Sequence, residues 1–406
     1  MKKGSLVCLF VFAITLVVFY SSVSATETYQ LVTKWGTFGA GDGQFNQPDG
    51  VAVDSSGNVY VADRNNYRIQ KFDSNGTTLL AKWGTQGPGD GQFMNPYGVA
   101  VDSSGNVYVA DTMNFRIQKF DSNGTTLLAK WDACGPANEQ HGPSGIAVDS
   151  SANVYVADTS NYRIRKFDSN GTNLLAEWGS LGSGDKQFLS PFGVAVDSSG
   201  NVYVTDLNNN RIQKFDSNGT TLLAKWGTSG TGGGQFNQSH GVAVDSSGNV
   251  YVTDTYNNRI QKFNSNGTTL LAKWGTQGTG DGQFSFPEGI AVDSSGNIYV
   301  ADTGNHRIQK FSLVPTPSTT TTTASTTTTS TITTTTTKTT TTTIAITPTI
   351  TVRPASVTTT VRQIGNQMIP RPTPKPQPMP TVKMPITTTT TRKHIIPRPV
   401  PRFPRR

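Results

Sequence analysis

Between residues 29 and 311 the apolar positions come in short runs separated by small polar clusters. In the stretch GVAVDSSGNVYVADTMNFRIQKFDSNGTTLLAKWG they fall into four runs, GVAVD, NVYVAD, RIQKF and TTLLAKW. Val, Ile, Tyr and Phe fill them, the residue types that suit a pleated and buried surface. DSSGN separates the first two runs and DSNGT the last two. Both are hairpin turns in which Gly or Asn takes positive φ. Nothing in the unit repeats with helical period, so each unit predicts four antiparallel strands.

The unit recurs. Trp35, Trp83, Trp131, Trp178, Trp226 and Trp274 are spaced 48, 48, 47, 48 and 48 residues apart. Four antiparallel strands per repeat of this length make the blade of a β-propeller. A linear solenoid would need atypical capping units at its ends. Here the last unit, GIAVDSSGNIYVADTGNHRIQKF, is regular but stops after three strands. Its missing fourth strand stands at the start of the repeat region, where YQLVTKW matches TLLAKW. The expected fold is all-β: a six-bladed propeller whose last blade is completed by the N-terminal strand, leaving no free edge in the ring.

The pattern P-x-G-V-A-V-D followed by G-N-V-Y-V-A-D-T-x-N-x-R-I-Q-K-F resembles the NHL repeat. The resemblance extends over residues 29–311 and recurs six times. It implies a six-bladed propeller of a family that serves mostly as binding platforms for proteins and sometimes RNA. A related group, the peptidyl amidating lyases, is enzymatic and holds zinc with histidines. His240, directly before its inner strand, resembles one of those histidines. The matching positions elsewhere are Asp49, Tyr97, Ser144, Phe192 and Glu288, so a three-histidine set is absent. No cofactor and no catalytic residue is expected.

The chain ends differ from the repeats. Lys2 and Lys3 precede an apolar run from Leu6 to Tyr20, and SSVSA follows to Ala25, the layout of a secretory signal peptide. The run is short for a membrane span, and no later segment offers one. The expected divisions are a signal peptide (1–25), the propeller (26–312) and a Thr/Pro-rich basic tail (313–406). The tail carries 12 Lys/Arg and no Asp/Glu, and lacks the apolar face that folding needs. It is expected to be a disordered stalk, with charge suited to anionic surface polymers. Removing those 12 cations and the two leader lysines from the total of 34 leaves 20 Lys/Arg against 26 Asp/Glu, about −6. An acidic propeller argues against a nucleic-acid partner. Of the two cysteines, Cys8 leaves with the leader and Cys134 remains as a single thiol.

Six copies in one chain can be compared with one another. The DSSGN and DSNGT turns share one rim and scarcely vary. The long loop between blades and the turn between the second and third strands share the other rim, and they differ blade by blade. The repeated pairs, such as Asp63 with Arg68 and Asp302 with Arg307, are expected to be structural, the Asp capping a turn. GAGDGQF and its copies precede strands, not helices, so they read as loop turns and not as phosphate cradles. At the channel mouth the varying residues are Asp49, Tyr97, Ser144, Phe192, His240 and Glu288, with Asp49, His240 and Glu288 forming an acidic or cation-binding cluster. A second ring holds Tyr67, Phe115, Tyr162, Asn210, Asn258 and His306, with Met113 beside its aromatic half. An aromatic half for sugars or apolar peptide side chains would face an amide half for hydrogen bonding. Blade three departs most, with Cys134, Glu139 and His141 in a shortened loop that reads as a degenerated repeat. Asn75, Asn123, Asn170, Asn218 and Asn266 sit in N-G-T triplets on the uniform rim, and Asn237 in N-Q-S on the varied one; all six are formal glycosylation sequons. The function expected is a secreted or cell-surface, non-catalytic binding module that takes a protein, peptide or glycan on the varied rim. A structural wall component is the alternative, and an amidating-lyase-like metalloenzyme the remotest one.

Overall fold

The computed structural model describes residues 27–135 and 142–314. Six four-stranded antiparallel sheets follow one another. Blade one runs Pro48–Val53, Val59–Asp63, Arg68–Phe72 and Leu79–Trp83, and the next four repeat it. The sixth sheet contains Pro287–Val292, Ile298–Asp302 and Arg307–Leu313, and its fourth strand is Tyr29–Trp35. Tyr29 lies opposite Leu313 and Trp35 opposite Ile308, so the ring closes as expected from the orphan strand. The last strand reaches Leu313, one residue past the expected domain end. The signal-peptide assignment, nearly all of the tail, Glu139 and His141 lie outside the described residues. Among the described residues no helix is long and apolar enough to cross a membrane.

Alternation decides what is buried. Second and third strands lie between neighbours and are buried along nearly their whole length, as in VYVAD and RIQKF of blade one. Fourth strands alternate in and out, LLAKW exposing its second and fourth residues. Apolar layers form between blades, not within them. One contains Phe45, Val51, Val59, Val61 and Phe72 of blade one with Ala291, Tyr299 and Ile308 of blade six.

Polar contacts tie each blade to the next. Tyr60 Oη and Lys71 Nζ both donate to the Ser122 carbonyl of the following blade, at 3.2 and 3.1 Å. The same two bonds recur from Tyr299 and Lys310 to Ser74 across the closure. Blade five has no such turn to meet, and Glu27 and Tyr29 lie there instead. Tyr251 Oη meets Tyr29 Oη at 3.0 Å, and Lys262 Nζ reaches Glu27 at 2.5 Å. Tyr29 also stacks on Trp274, centroids 4.4 Å apart and planes 15° from parallel. In other blades a turn glycine covers that tryptophan: a Cβ on Gly124, at φ +71°, would stand 2.0 Å from the Trp83 ring.

The repeated Asp–Arg pairs are structural, by a different route from a helix cap. Each Asp precedes a one-turn 3-10 segment without capping it through its side chain. Asp63 instead accepts from Asn46 N–H at 2.7 Å, Asn66 Nδ2 and Arg68 Nε, gathering the inter-blade loop. Arg68 continues to the carbonyls of Ala40, Gly41 and Gln44.

Candidate functional site

The first strand of every blade lines the central channel. These strands approach closely because each carries a glycine where a side chain has no room. A Cβ on Gly50 would stand 2.3 Å from the Tyr97 carbonyl, and one on Gly289 2.1 Å from that of Asp49. The residue preceding each glycine is thereby pushed to the channel mouth. All six expected mouth residues, Asp49, Tyr97, Ser144, Phe192, His240 and Glu288, line one cavity of about 70 Å³.

The mouth is lopsided. Ser144 is small and turned aside, its hydroxyl bonded to Thr159 and the Phe192 carbonyl. Over it Tyr97 and Phe192 meet edge to face, centroids 5.8 Å apart, and Phe192 meets the His240 ring at 4.6 Å. On the other side Asp49, only 3% exposed, faces Glu288. Burial and the Glu288 charge push the Asp49 carboxyl well above the usual carboxylate range, with Arg64 opposing.

The cation of this cluster comes from the protein itself. Arg64 Nη1 donates to Asp49 Oδ2 at 3.1 Å and to Tyr97 Oη at 2.8 Å, and Nη2 reaches Gln47 Oε1. The guanidinium also covers the Tyr97 ring, 4.9 Å from its centroid. Burial, then the Asp49 charge, push the Tyr97 phenol up to about 12. The cation-binding cluster expected of Asp49, His240 and Glu288 is thus corrected in part, because Arg64 already pairs with Asp49. Among the described residues no three carboxylate, imidazole or thiol groups converge to hold a metal ion. Arg64 was missed by sequence reasoning, although comparing copies reveals it. Four of the other blades carry threonine there and one leucine: Thr112, Thr159, Leu207, Thr255 and Thr303. Each threonine bonds the carbonyl of the next blade's first-strand proline, as Thr112 does to Pro143 at 2.7 Å.

The tautomer of His240 follows from its neighbours. Nδ1 lies 2.9 Å from Thr255 Oγ1 and 3.1 Å from the Gln238 carbonyl. Thr255 gives its one proton to the Pro287 carbonyl, so both neighbours of Nδ1 need a donor. Burial lowers the imidazole pKa, favouring the neutral ring. Nδ1 therefore holds the proton and Nε2 keeps a lone pair, with no partner among the described residues.

The second ring divides differently from the expectation. Its six residues occupy left-handed positions, φ between 52° and 58°, after the 3-10 turns. Asn210 and Asn258 accept the N–H of Gln238 and Phe286 in the next blade at 2.8 and 2.9 Å, and His306 Nδ1 that of Gln47 at 3.1 Å. The acceptor atoms of this half thus hold blades together and are not open to a ligand. Tyr67, Phe115 and Tyr162 are half-buried, and Met113 is exposed. The largest exposed aromatics of this rim lie elsewhere. Tyr256, 50% exposed, packs on Phe286, 42% exposed, at 5.3 Å, and Phe38, 66% exposed, packs on His306 at 4.9 Å. These pairs span blades five, six and one. The six sequon asparagines are all exposed, five in uniform-rim turns and Asn237 in a loop of the other rim.

Blade three is a coordinated variant. Cys134 is buried and free, and burial, then Asp158, push its thiol pKa up, so it is a poor ligand and nucleophile. Arg165, where other blades have glutamine, bonds the Ala133 carbonyl and lies near Glu177, which replaces a lysine.

The family model described as NHL repeat matches residues 45–72, 93–120, 141–167, 188–215, 236–263 and 284–311. The chain carries six NHL repeats. A stretch of 43 residues is 56% identical to the B-box type zinc finger protein ncl-1 of Caenorhabditis elegans, covering 11% of this chain and 5% of that protein. Over the same length it is 54% identical to Protein brain tumor of Drosophila melanogaster, covering 11% of this chain and 4% of that one. The chain therefore spans about a twentieth of the curated relatives it matches. Among solved structures, a streptogramin B lyase superposes with a TM-score of 0.51 at 16% identity, covering 72% of this chain and all of that one. At that identity the likeness concerns the fold alone.

Proposed function

We propose that this NHL propeller is a non-catalytic binding module, secreted or displayed at the cell surface, that takes a protein, peptide or glycan on its varied rim. The observation that carries the reading is the pair of exposed aromatic contacts, Tyr256–Phe286 and Phe38–His306, on that rim. Solvent-exposed aromatic pairs are unsupported by burial, and aromatics dominate binding hot spots. The uniform rim offers six near-identical turns, which give a ligand no unique orientation. The leader-like start and the Thr/Pro-rich basic end support an extracellular setting. The test is a binding screen of the full chain against glycans, surface polymers and extracellular proteins. With a partner in hand, Phe38→Ala, Tyr256→Ala and Phe286→Ala should each weaken it by about 1–3 kcal/mol. Ser103→Ala and Ser198→Ala, on the opposite rim, should leave it unchanged. Equal losses from both rims would refute the assignment.

A further inference from the structure

We infer that the channel mouth is a receptor for a primary alkylammonium group, such as the end of a lysine side chain, held by Glu288 and His240 Nε2 against Phe192. The inference deepens the rim-binding reading and rests on it, since the mouth opens on the same rim.

The groups at the mouth select for such a ligand by elimination. The cavity, about 70 Å³, is far smaller than the several hundred Å³ of pockets that enclose whole small molecules. It admits the end of a chain, not a sugar ring. Apart from the Tyr97 hydroxyl proton, left free because that oxygen accepts from Arg64, its free polar groups accept and do not donate. Among the described residues the Glu288 carboxyl is met only by the Asp49 carboxyl, which shares a proton with it, and no cation pairs with Glu288 as Arg64 does with Asp49. His240 Nδ1 is fixed as a donor to Gln238 and Thr255, so Nε2 presents a lone pair. Arg64 pairs with Asp49, and no cation of the described residues pairs with Glu288. An anion would meet two carboxyls and a lone pair. A neutral alkyl group would leave Glu288 without a cation and the lone pair without a donor in a partly dry site, which is costly. An ammonium offers three donors and one positive charge. Phe192, held against both Tyr97 and His240, supplies an aromatic wall for the cation or its methylene stem. A guanidinium is planar and bulkier, and the arginine-shaped part of the site is filled by Arg64.

The shared chemistry has two sources, a lysine in a peptide and a free alkylamine. Calorimetric titration of the full chain with N-acetyl-lysine methylamide, butylamine and N-acetyl-norleucine methylamide separates them. Saturable 1:1 binding of either amine, with none of the norleucine analogue, supports the inference. Binding of the lysine amide but not butylamine assigns a peptide source, and the reverse assigns a free amine. Glu288→Gln keeps the shape and removes the charge, and should weaken binding at least about tenfold. His240→Gln, an independent variant, should also weaken it, while Ser103→Ala should not. Melting curves of each variant check that the ring remains closed. The inference is overturned if neither amine saturates, if the norleucine analogue binds equally, or if both Glu288→Gln and His240→Gln variants, melting like the parent, bind unchanged. The rim reading fails separately, through Phe38, Tyr256 and Phe286 variants that leave a partner's affinity intact.

Discussion

Tyr29 fills the one gap that the repeat cannot fill, and replacing it with alanine should weaken the whole ring. The phenol stacks on Trp274 and its hydroxyl contacts Tyr251, both in blade five, while its backbone belongs to blade six. A tyrosine buries about 150–250 Å² when fully enclosed, and Tyr29 is half-buried, so about 100 Å² of mostly apolar surface is lost. At about 25 cal/mol per Å² this amounts to about 2.5 kcal/mol, and the stacked geometry adds up to about 1 more. The hydroxyl contributes less, because Tyr251 keeps Asp245 at 3.1 Å and is not orphaned. Tyr29→Ala should therefore cost about 3 kcal/mol, lowering the melting midpoint by roughly 6–12 °C for a domain of this size. Tyr29→Phe should cost less than about 1 kcal/mol. Glu27→Gln should also be mild, since an amide oxygen gives Lys262 the kind of acceptor that a carbonyl gives the other five lysines. Differential scanning calorimetry of the full chain measures all three. A Tyr29→Ala protein that melts within about 1 °C of the parent would show that the seam is not held by this contact.

Gly124→Ala should destabilise by about 2 kcal/mol or more in urea titrations, because its Cβ would overlap the Trp83 ring at a strained φ, whereas Gly296→Ala, with nothing within 4 Å, should cost only about 1 kcal/mol. Asp63→Ala strands the buried Arg68 and the N–H of Asn46, and should cost about 3–5 kcal/mol by the same titration. For acid stability the sign follows from Asp121 and Asp216. Slight burial pulls these carboxyls up, but hydrogen bonds from Thr125 and Thr220 outweigh it and hold both at about 2. Folded pKa values below the unfolded ones contribute stability above about pH 4 that is lost as pH falls towards 2. The double variant Asp121→Asn, Asp216→Asn should flatten that part of the stability curve, and an unchanged slope would contradict it.

Blade number, strand order and the closing strand were legible because 47- and 48-residue spacing and an unpaired strand are properties of the sequence itself. The mouth residues were legible for the same reason, since each precedes the glycine of an inner strand. What the side chains do there was not. Asn210 and Asn258 looked like open hydrogen-bonding groups, yet a left-handed backbone aims them at the next loop's N–H. That geometry depends on two blades at once, which no single repeat encodes. Arg64 and Phe38 were visible only as departures at positions not compared, the former among threonines and a leucine. Blade three reads as decay in sequence, but Arg165 and Glu177 show its changes compensating one another in space.

Near-identity among the repeats carries a hazard that the seam counters. Five of the six third strands read RIQKF and that of blade three reads RIRKF, so the hydrogen-bonding edge awaiting the N-terminal strand is almost the same everywhere. A chain emerging in order could pair that strand with an early blade, or lend it to another molecule's open blade and form swapped oligomers. Backbone pairing cannot tell these partners apart. Glu27 and Tyr29 can, because only beside blade five are Lys262, Tyr251 and Trp274 left without a following turn. The two residues act as an address, and a gene that gained or lost a whole repeat would still present that vacancy once, beside its penultimate blade. Copy number could then drift by recombination while closure stayed directed to the right place, so the size of the ring and the accuracy of its sealing are separable inheritances.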